Sequence, residues 1–104
     1  MNTNKFLSML GLSRRAGRVI IGTPLVTSKL PCGKVKITFC TLDASDNTKK
    51  RITDKCAFYN VALEMVDIPS YEIGKMLGMS SPVCVFGIED DNFSKQLIAL
   101  SKDE

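Results

Sequence analysis

Short apolar segments with the character of β-strands alternate with helical segments along the whole chain. The clearest strand pattern is Val35–Leu42, in which Ile37 and Phe39 alternate with more polar neighbours. Weaker strand patterns occur at Val19–Ile21, Val61–Val66 and Pro82–Ile88. Alternation of this kind predicts an α/β sandwich with helices on both faces of one sheet. Since no linker or internal repeat interrupts the pattern, we expect a single domain over residues 1–104.

Five predicted helices fill the intervals around these strands. The first ends near Ala16 and the second near Leu30, each followed by glycine or proline. The third extends to about Tyr59 and the fourth to Leu77. Each helix is preceded by residues that commonly act as caps. The predicted N-caps are one of Asn2, Thr3 and Asn4, then Thr23 with Pro24 at the first helical position, Ser45, Ser70 and Asp91.

Charge is divided unevenly between the two halves of the chain. Residues 1–55 contain 11 Lys and Arg and 3 Asp and Glu, so their net charge is 11 − 3 = +8. Residues 56–104 contain 3 and 8, so theirs is 3 − 8 = −5. A basic half attracts phosphate groups while the acidic remainder maintains solubility, which favours nucleic acid as a partner. An ordinary solvated surface explains the charge pattern equally well, so charge alone leaves both interpretations open.

Residue types that are missing or scattered disfavour several classes of function. The chain has no histidine, on which most general-base chemistry near neutral pH depends, so we expect no enzyme and no catalytic residues. No two of the four cysteines have metal-ligand spacing, so we expect no metal and no cofactor. We expect reduced thiols, buried at Cys40, Cys56 and Cys84 and exposed at Cys32.

Hydropathy gives an expectation about location. No apolar run reaches the roughly 18 residues of a membrane span. The first residues contain one lysine and a short apolar patch broken by Ser8 and Gly11, which makes a poor signal peptide. We therefore expect a cytoplasmic protein with no membrane partner.

Helix starts that follow strand ends are the expected places for a ligand, because open α/β sheets bind ligands outside their strand ends. Neither a dinucleotide fingerprint nor a phosphate-binding glycine loop is present. The tightest basic cluster is Arg14, Arg15 and Arg18, and we expect Arg14 and Arg18 to contact RNA. A second basic group on the third helix is equally compatible with a solvated helix face.

Two blocks of sequence carry a family resemblance. They are Leu10–Arg18 (LGLSRRAGR), followed by Gly22, and Leu42–Lys50 (LDASDNTKK), of which the second is the more specific. Gly78–Val83 (GMSSPV) is similar to a later loop of the same family. With these motifs, over nearly its whole length, the chain resembles the YlxQ-type bacterial branch of the kink-turn-binding ribosomal protein family.

The resemblance implies a three-layer α/β/α sandwich around a four-stranded mixed sheet. It also implies a non-catalytic monomer that binds kink-turns, which are sharply bent elements of ribosomal, riboswitch-like or other structured RNA, and that is associated with the ribosome or translation. In the family the start of the second helix enters the RNA groove, and the loop before the last strand covers a flipped-out nucleotide. The residues implied are Gly22, Thr23, Pro24, Leu25, Ser28 and Lys29 at the helix, Met79, Ser80, Ser81 and Pro82 in the loop, and Asp43, Ser45 and Lys49 around the nucleotide.

The second helix departs from the pattern of other family members, which have a Gly-x-Asn-Glu run followed by Lys. Here Pro24 and Leu25 occupy the Asn and Glu positions, and Ser28 occupies the Lys position. Proline has no N–H and leucine no acceptor, so direct base readout is reduced and recognition by shape and backbone is expected. Pro24 is also an ordinary helix-start residue, and Leu25 belongs either to the core or to an exposed face that packs on a sugar or base.

Three hypotheses follow in decreasing order of support. The first is a protein that binds structured RNA. The second is an interaction or scaffold module that keeps the fold but has lost specific RNA readout. The third is a small enzyme with a cysteine or carboxylate site, for which a reactive Cys32 is the best candidate.

Overall fold

The chain forms the predicted succession of helices and strands. The computed structural model describes residues 1–102. Its elements are α1 (Thr3–Arg15), β1 (Val19–Ile21), α2 (Thr23–Lys29), a 3₁₀ turn (Leu30–Cys32), β2 (Ile37–Thr41), α3 (Asp46–Phe58), β3 (Ala62–Val66), α4 (Ser70–Met76), β4 (Val85–Ile88) and α5 (Asp91–Lys102).

The four strands form one mixed sheet in the order β1-β4-β2-β3. β4 is antiparallel to both β1 and β2, whereas β2 and β3 are parallel. Consequently β1, β2 and β3 all end where β4 begins, and we call this end of the sheet the upper edge. The opposite end, where β1, β2 and β3 begin and β4 ends, is the lower edge.

Helices cover both faces of the sheet and enclose two apolar clusters. Ile37 and Phe39 of β2 pack under α1, α4 and α5, whereas Cys40 packs under α2 and α3. Side chains alternate between faces along a strand, so one strand supplies both clusters. The ring of Phe39 lies 5.3 Å from those of Phe6 and Phe86, measured between centroids. These layers confirm the predicted α/β/α sandwich and its four-stranded mixed sheet.

Two helix starts have the predicted caps. The Asn2 side chain accepts a hydrogen bond from the Lys5 amide at 3.2 Å, and the Ser45 hydroxyl accepts one from the Thr48 amide at 3.2 Å. Each bond satisfies a backbone donor that the first helical turn leaves free. The Ser45 cap fixes the start of α3 at the upper edge.

Three predicted caps were wrong by one residue, because the helix begins earlier than the pattern suggested. The N-caps of α2, α4 and α5 are Gly22, Pro69 and Asp90, each one residue before the predicted N-cap. The predicted N-caps were Thr23, Ser70 and Asp91. Thr23 is therefore already helical, and Pro24 is the second helical residue rather than the first. At α5 the Asp90 carboxylate accepts a hydrogen bond from the Phe93 amide at 2.8 Å.

Candidate RNA interface

The upper edge brings together segments that are distant in the sequence. β1 leads directly into Gly22 and α2, while the segment 78–84 leads into β4 beside it. The Gly22 amide donates a hydrogen bond to the Val85 carbonyl at 2.9 Å. The predicted helix start and the predicted loop therefore lie at the ends of two adjacent strands.

The start of α2 presents a small, exposed surface. Gly22 has a φ of +95°, a conformation that only glycine adopts readily, and it allows the sharp turn from β1 into the helix. Pro24 and Ser28 are exposed, and Leu25 retains 48% of its accessible surface. The core position considered for Leu25 is therefore wrong. The Ser28 hydroxyl donates to the Leu25 carbonyl at 2.8 Å, and Lys29 lies half-buried in the last turn.

Backbone contacts hold the loop between α4 and β4, whose residues 78–82 we call the upper loop. The Met79 amide donates to the Gly74 carbonyl at 2.8 Å. A Cβ at Gly74 would collide with the Ser81 carbonyl oxygen, so glycine permits this close approach. The Val83 amide donates to the Ser70 carbonyl at 3.0 Å. Although the loop is fixed to α4 at both ends, its residues Met79, Ser80, Ser81 and Pro82 are all exposed.

Asp43 connects the end of β2 to the start of α4. One carboxylate oxygen accepts from the Thr41 hydroxyl at 2.6 Å, and the other accepts from the Ser70 amide and hydroxyl, each at 3.0 Å. The bond from the Ser70 amide, followed by the bond from Thr41, lowers the pKa of this carboxyl. Asp43 therefore caps α4 from 27 residues away, a structural role that the sequence did not indicate.

Two features lie beside Asp43 at the same edge. A cavity of about 300 Å³ is bounded by Leu42, Asp43, Asp67, Ile68 and Pro69. Lys49 lies one turn beyond the Ser45 cap and is half-buried. Burial raises the pKa of the neighbouring Cys40 thiol to about 11, and the positive charge of Lys49 opposes that rise only in part. Asp43, Ser45 and Lys49 therefore lie between the end of β2 and the first turns of α3.

The two arginines of the predicted site are separated. The Arg14 Nε donates to the Leu77 carbonyl at 3.3 Å, immediately before the upper loop. Arg18 precedes β1, and its carbonyl accepts from the Glu89 amide at 2.9 Å, beyond the end of β4. At about 3.3 Å per residue, Arg18 lies roughly 13 Å from Gly22 along the strand. Arg14 therefore adjoins the upper loop, whereas Arg18 lies at the lower edge.

The thiols follow the expectation with one correction. Cys40 and Cys56 are buried and Cys32 is exposed, but Cys84 is only partly buried. Within residues 1–102, no three His, Cys, Asp or Glu side chains are grouped for a metal ion. None of the helices described there has the length and apolarity needed to cross a membrane.

Comparison with known proteins assigns the family. Residues 4–98 match the model of the ribosomal protein L7Ae/L30e/S12e/Gadd45 family. The chain belongs to this family. The family resemblance stated from the sequence motifs is thereby confirmed.

Several relatives align with most of this chain. It is 40% identical to the RNA-binding protein YlxQ of Enterococcus faecium, covering 91% of this chain and 89% of the relative. It is 34% identical to YlxQ of Bacillus subtilis, covering 96% and 98%. Identity to the large ribosomal subunit protein eL30 of Sulfolobus acidocaldarius is 31%, covering 80% of each.

Solved structures share the fold. A protein of unknown function from Bacillus halodurans superimposes with a TM-score of 0.87 at 32% identity, covering 95% of this chain and 98% of the other. The Giardia lamblia 15.5kD RNA binding protein superimposes with a TM-score of 0.76 at 15% identity, covering 95% and 83%. The second likeness concerns the fold alone.

Proposed function

We propose that this chain binds structured RNA through its upper edge, without catalysing a reaction. The observation that carries the proposal is the convergence of the exposed start of α2 with the braced upper loop at adjacent strand ends. Support comes from the relatives named RNA-binding protein YlxQ, which are 34–40% identical to this chain.

The mechanism that fits this surface is recognition by shape. The upper loop is fixed by backbone hydrogen bonds, so it loses little conformational freedom on binding. Pro24 and Leu25 offer apolar atoms that pack against a sugar or an unstacked base, while the Ser80 and Ser81 hydroxyls donate to RNA oxygens. Arg14 and Lys49 supply positive charge to phosphates beside these contacts.

The finer proposal is that the RNA is a kink-turn. The carried-over residues Gly22–Leu25, Ser28 and Lys29 would enter the groove at the bend, and Met79–Pro82 would cover the flipped-out nucleotide near Asp43. Two exposed segments side by side at one edge fit a sharply bent RNA better than a straight duplex, whose grooves offer side chains little sequence information. We also propose a cytoplasmic role in translation, with ribosomal RNA among the ligands.

A salt series on two RNAs tests the proposal. We expect the Kd for a kink-turn RNA to rise steeply between 50 and 200 mM salt, because neutralised phosphates release counterions. A straight duplex of equal length is the control and should bind at least about tenfold more weakly, a difference of about 1.4 kcal/mol. Equal weak binding to both RNAs would contradict kink-turn specificity, and no binding at low salt would contradict RNA binding altogether.

The double substitution Pro24→Asn with Leu25→Glu tests where the RNA docks. It introduces an amide and a carboxylate that hydrogen-bond base edges, so the preference for kink-turn over duplex should increase by about tenfold. Gln96→Asn with Ala99→Glu introduces the same two side chains and the same charge change at exposed positions of α5, and this matched control should leave the preference unchanged. An equal change in both variants would place the RNA contact elsewhere.

Exposed apolar side chains favour a second candidate, a protein-binding module. Leu25 and Leu42 are each 48% exposed and Met79 is 41% exposed, all on segments at the upper edge. Apolar side chains on a surface are typical of protein contacts. Partners that the chain retains after RNase treatment of an extract would favour this candidate, and partners that are lost would favour RNA.

A further inference from the structure

A second basic surface lies at the lower edge, away from the upper loop. Arg18, Lys34 and Lys36 surround an open cavity of about 310 Å³ with Gly33 and Glu89. The three cationic residues are exposed, and within residues 1–102 none of their nitrogens lies within 4.0 Å of a carboxylate oxygen. We call Arg18, Lys34 and Lys36 the lower basic cluster.

The backbone explains why these three residues come together. The Lys36 amide donates to the Ile88 carbonyl at 2.8 Å, and the Glu89 amide donates to the Arg18 carbonyl at 2.9 Å. Adjacent ends of β1, β4 and β2 therefore place Arg18 and Lys36 on either side of Glu89. Gly33, with a φ of +73°, turns the chain so that Lys34 joins them. With Glu89 included, the cluster carries a net charge of 3 − 1 = +2.

The second helix joins the two surfaces. α2 follows its N-cap Gly22 at the upper edge and ends at Lys29, and the turn Leu30–Cys32 continues directly to the lower basic cluster. Seven helical residues span about 10 Å, so the two surfaces lie within about one turn of a duplex. Ser28 is exposed and Lys29 is partly exposed along this path. A nucleic acid docked at the start of α2 and continuing along the helix reaches the lower basic cluster.

We propose that the lower basic cluster is a second RNA contact, which holds the phosphate backbone of a helical arm extending from the upper edge along α2. The inference rests on the proposed RNA-binding function and adds to it. Exposed lysines and arginines without carboxylate partners neutralise phosphates and release counterions. Such contacts carry no sequence information, so the cluster strengthens and orients binding while the upper edge selects the RNA.

The test uses the double variant Lys34→Gln/Lys36→Gln and two kinds of RNA. A minimal kink-turn RNA has short stems that cover only the upper edge. Two extended RNAs each lengthen a different stem by about one helical turn. Wild-type protein should bind the extended RNA whose longer stem runs along α2 more tightly than it binds the minimal RNA. The variant should bind that RNA about three- to tenfold more weakly with a salt slope lower by about 1.5, and should bind the minimal RNA unchanged.

The matched control is Lys5→Gln/Lys95→Gln, which also removes two exposed lysine charges but on α1 and α5. Thermal unfolding establishes that both variants are folded. The inference would be overturned if both variants lost RNA affinity equally, or if Lys34→Gln/Lys36→Gln lost affinity equally for minimal and extended RNA. It would also be overturned if wild-type protein bound no extended RNA more tightly than the minimal RNA.

In each of these outcomes, binding of the minimal RNA by wild-type protein would leave the proposed function intact. Failure of wild-type protein to bind any RNA would refute the inference and the proposed function together.

Discussion

The two edges of the sheet differ in how their surfaces are built. At the upper edge the exposed groups lie on backbone that is held in place, as at Gly22 and Gly74. At the lower edge they are the ends of long side chains, at Arg18, Lys34 and Lys36. Fixed backbone discriminates between ligand shapes, whereas flexible cations adapt to any phosphate chain. If the chain binds RNA as proposed, this difference predicts that the upper edge selects the RNA and the lower edge adds general affinity.

The largest effect is expected from Gly74→Ala, which breaks the upper edge and leaves the lower edge intact. The new Cβ collides with the Ser81 carbonyl oxygen, so the upper loop has to move. Overpacking of this kind costs roughly 1–3 kcal/mol of unfolding free energy. We expect the affinity for a minimal kink-turn RNA to fall at least about tenfold, measured by gel shift alongside urea unfolding.

Gly11→Ala in α1 is the matched control for this substitution. There the nearest atom to a new Cβ is the Met76 sulfur at 3.0 Å, the movable end of a flexible side chain. Alanine is also the better helix former by about 1 kcal/mol. Stability should therefore change little and RNA affinity should stay the same. If Gly74→Ala behaved like Gly11→Ala, the close packing of the upper loop would have no functional consequence.

The next largest effect is expected from Ser81→Glu, because it places a carboxylate where the RNA is proposed to lie. A charge within a few ångströms of a phosphate is screened only weakly by salt, whereas a charge beyond the Debye length of about 8–10 Å is largely screened. Affinity for the minimal RNA should fall about tenfold. Ser8→Glu, at an exposed position of α1, changes the net charge equally and should reduce affinity less than about twofold. If Ser81→Glu left the affinity for the minimal RNA unchanged, the upper loop would not be part of the interface.

The alternation of elements and the caps of α1 and α3 were predictable from sequence because they depend on neighbouring residues. β2 has an alternating apolar pattern, and the serine that caps α3 precedes a helical run. The cap of α4 was not predictable, because its acceptor is the Asp43 carboxylate, 27 residues before Ser70. Nor did any local pattern indicate that Gly74 lies under Ser81.

The separation of Arg14 and Arg18 was also not predictable from the sequence. Arg14 and Arg18 are four residues apart, and in a continuous helix they would share one face. α1 ends at Arg15 and Gly17 adopts a φ of +72°, so the chain turns between them. A charge cluster in sequence was therefore divided between two surfaces. The lower basic cluster could be identified only from the structure, in which the ends of β1, β4 and β2 bring Arg18 close to Lys34 and Lys36.

This separation gives a prediction for paired variants, Arg14→Gln and Arg18→Gln. Each removes one positive charge, but only Arg14 adjoins the upper loop. On the minimal RNA, Arg14→Gln should weaken binding about threefold and lower the salt slope by about 0.7–0.9, while Arg18→Gln should have no measurable effect. On the favoured extended RNA both should weaken binding. If Arg14→Gln and Arg18→Gln lost equal affinity for the minimal RNA, the two edges would not differ in their contact with that RNA.

The smallest effect concerns the brace between β2 and α4, which Asp43→Ala removes. Loss of a cap costs about 1 kcal/mol, so urea unfolding at pH 7 should show that decrease, with RNA affinity reduced no more than about twofold. The carboxyl pKa is lowered in the folded chain below an unfolded value near 3.9, so its stabilisation is present above about pH 4 and is lost as pH falls through the folded pKa. The stability difference between wild type and Asp43→Ala should therefore narrow in strong acid. A stability difference between wild type and Asp43→Ala that does not vary with pH would mean that the ionised Asp43 carboxylate does not brace the upper edge.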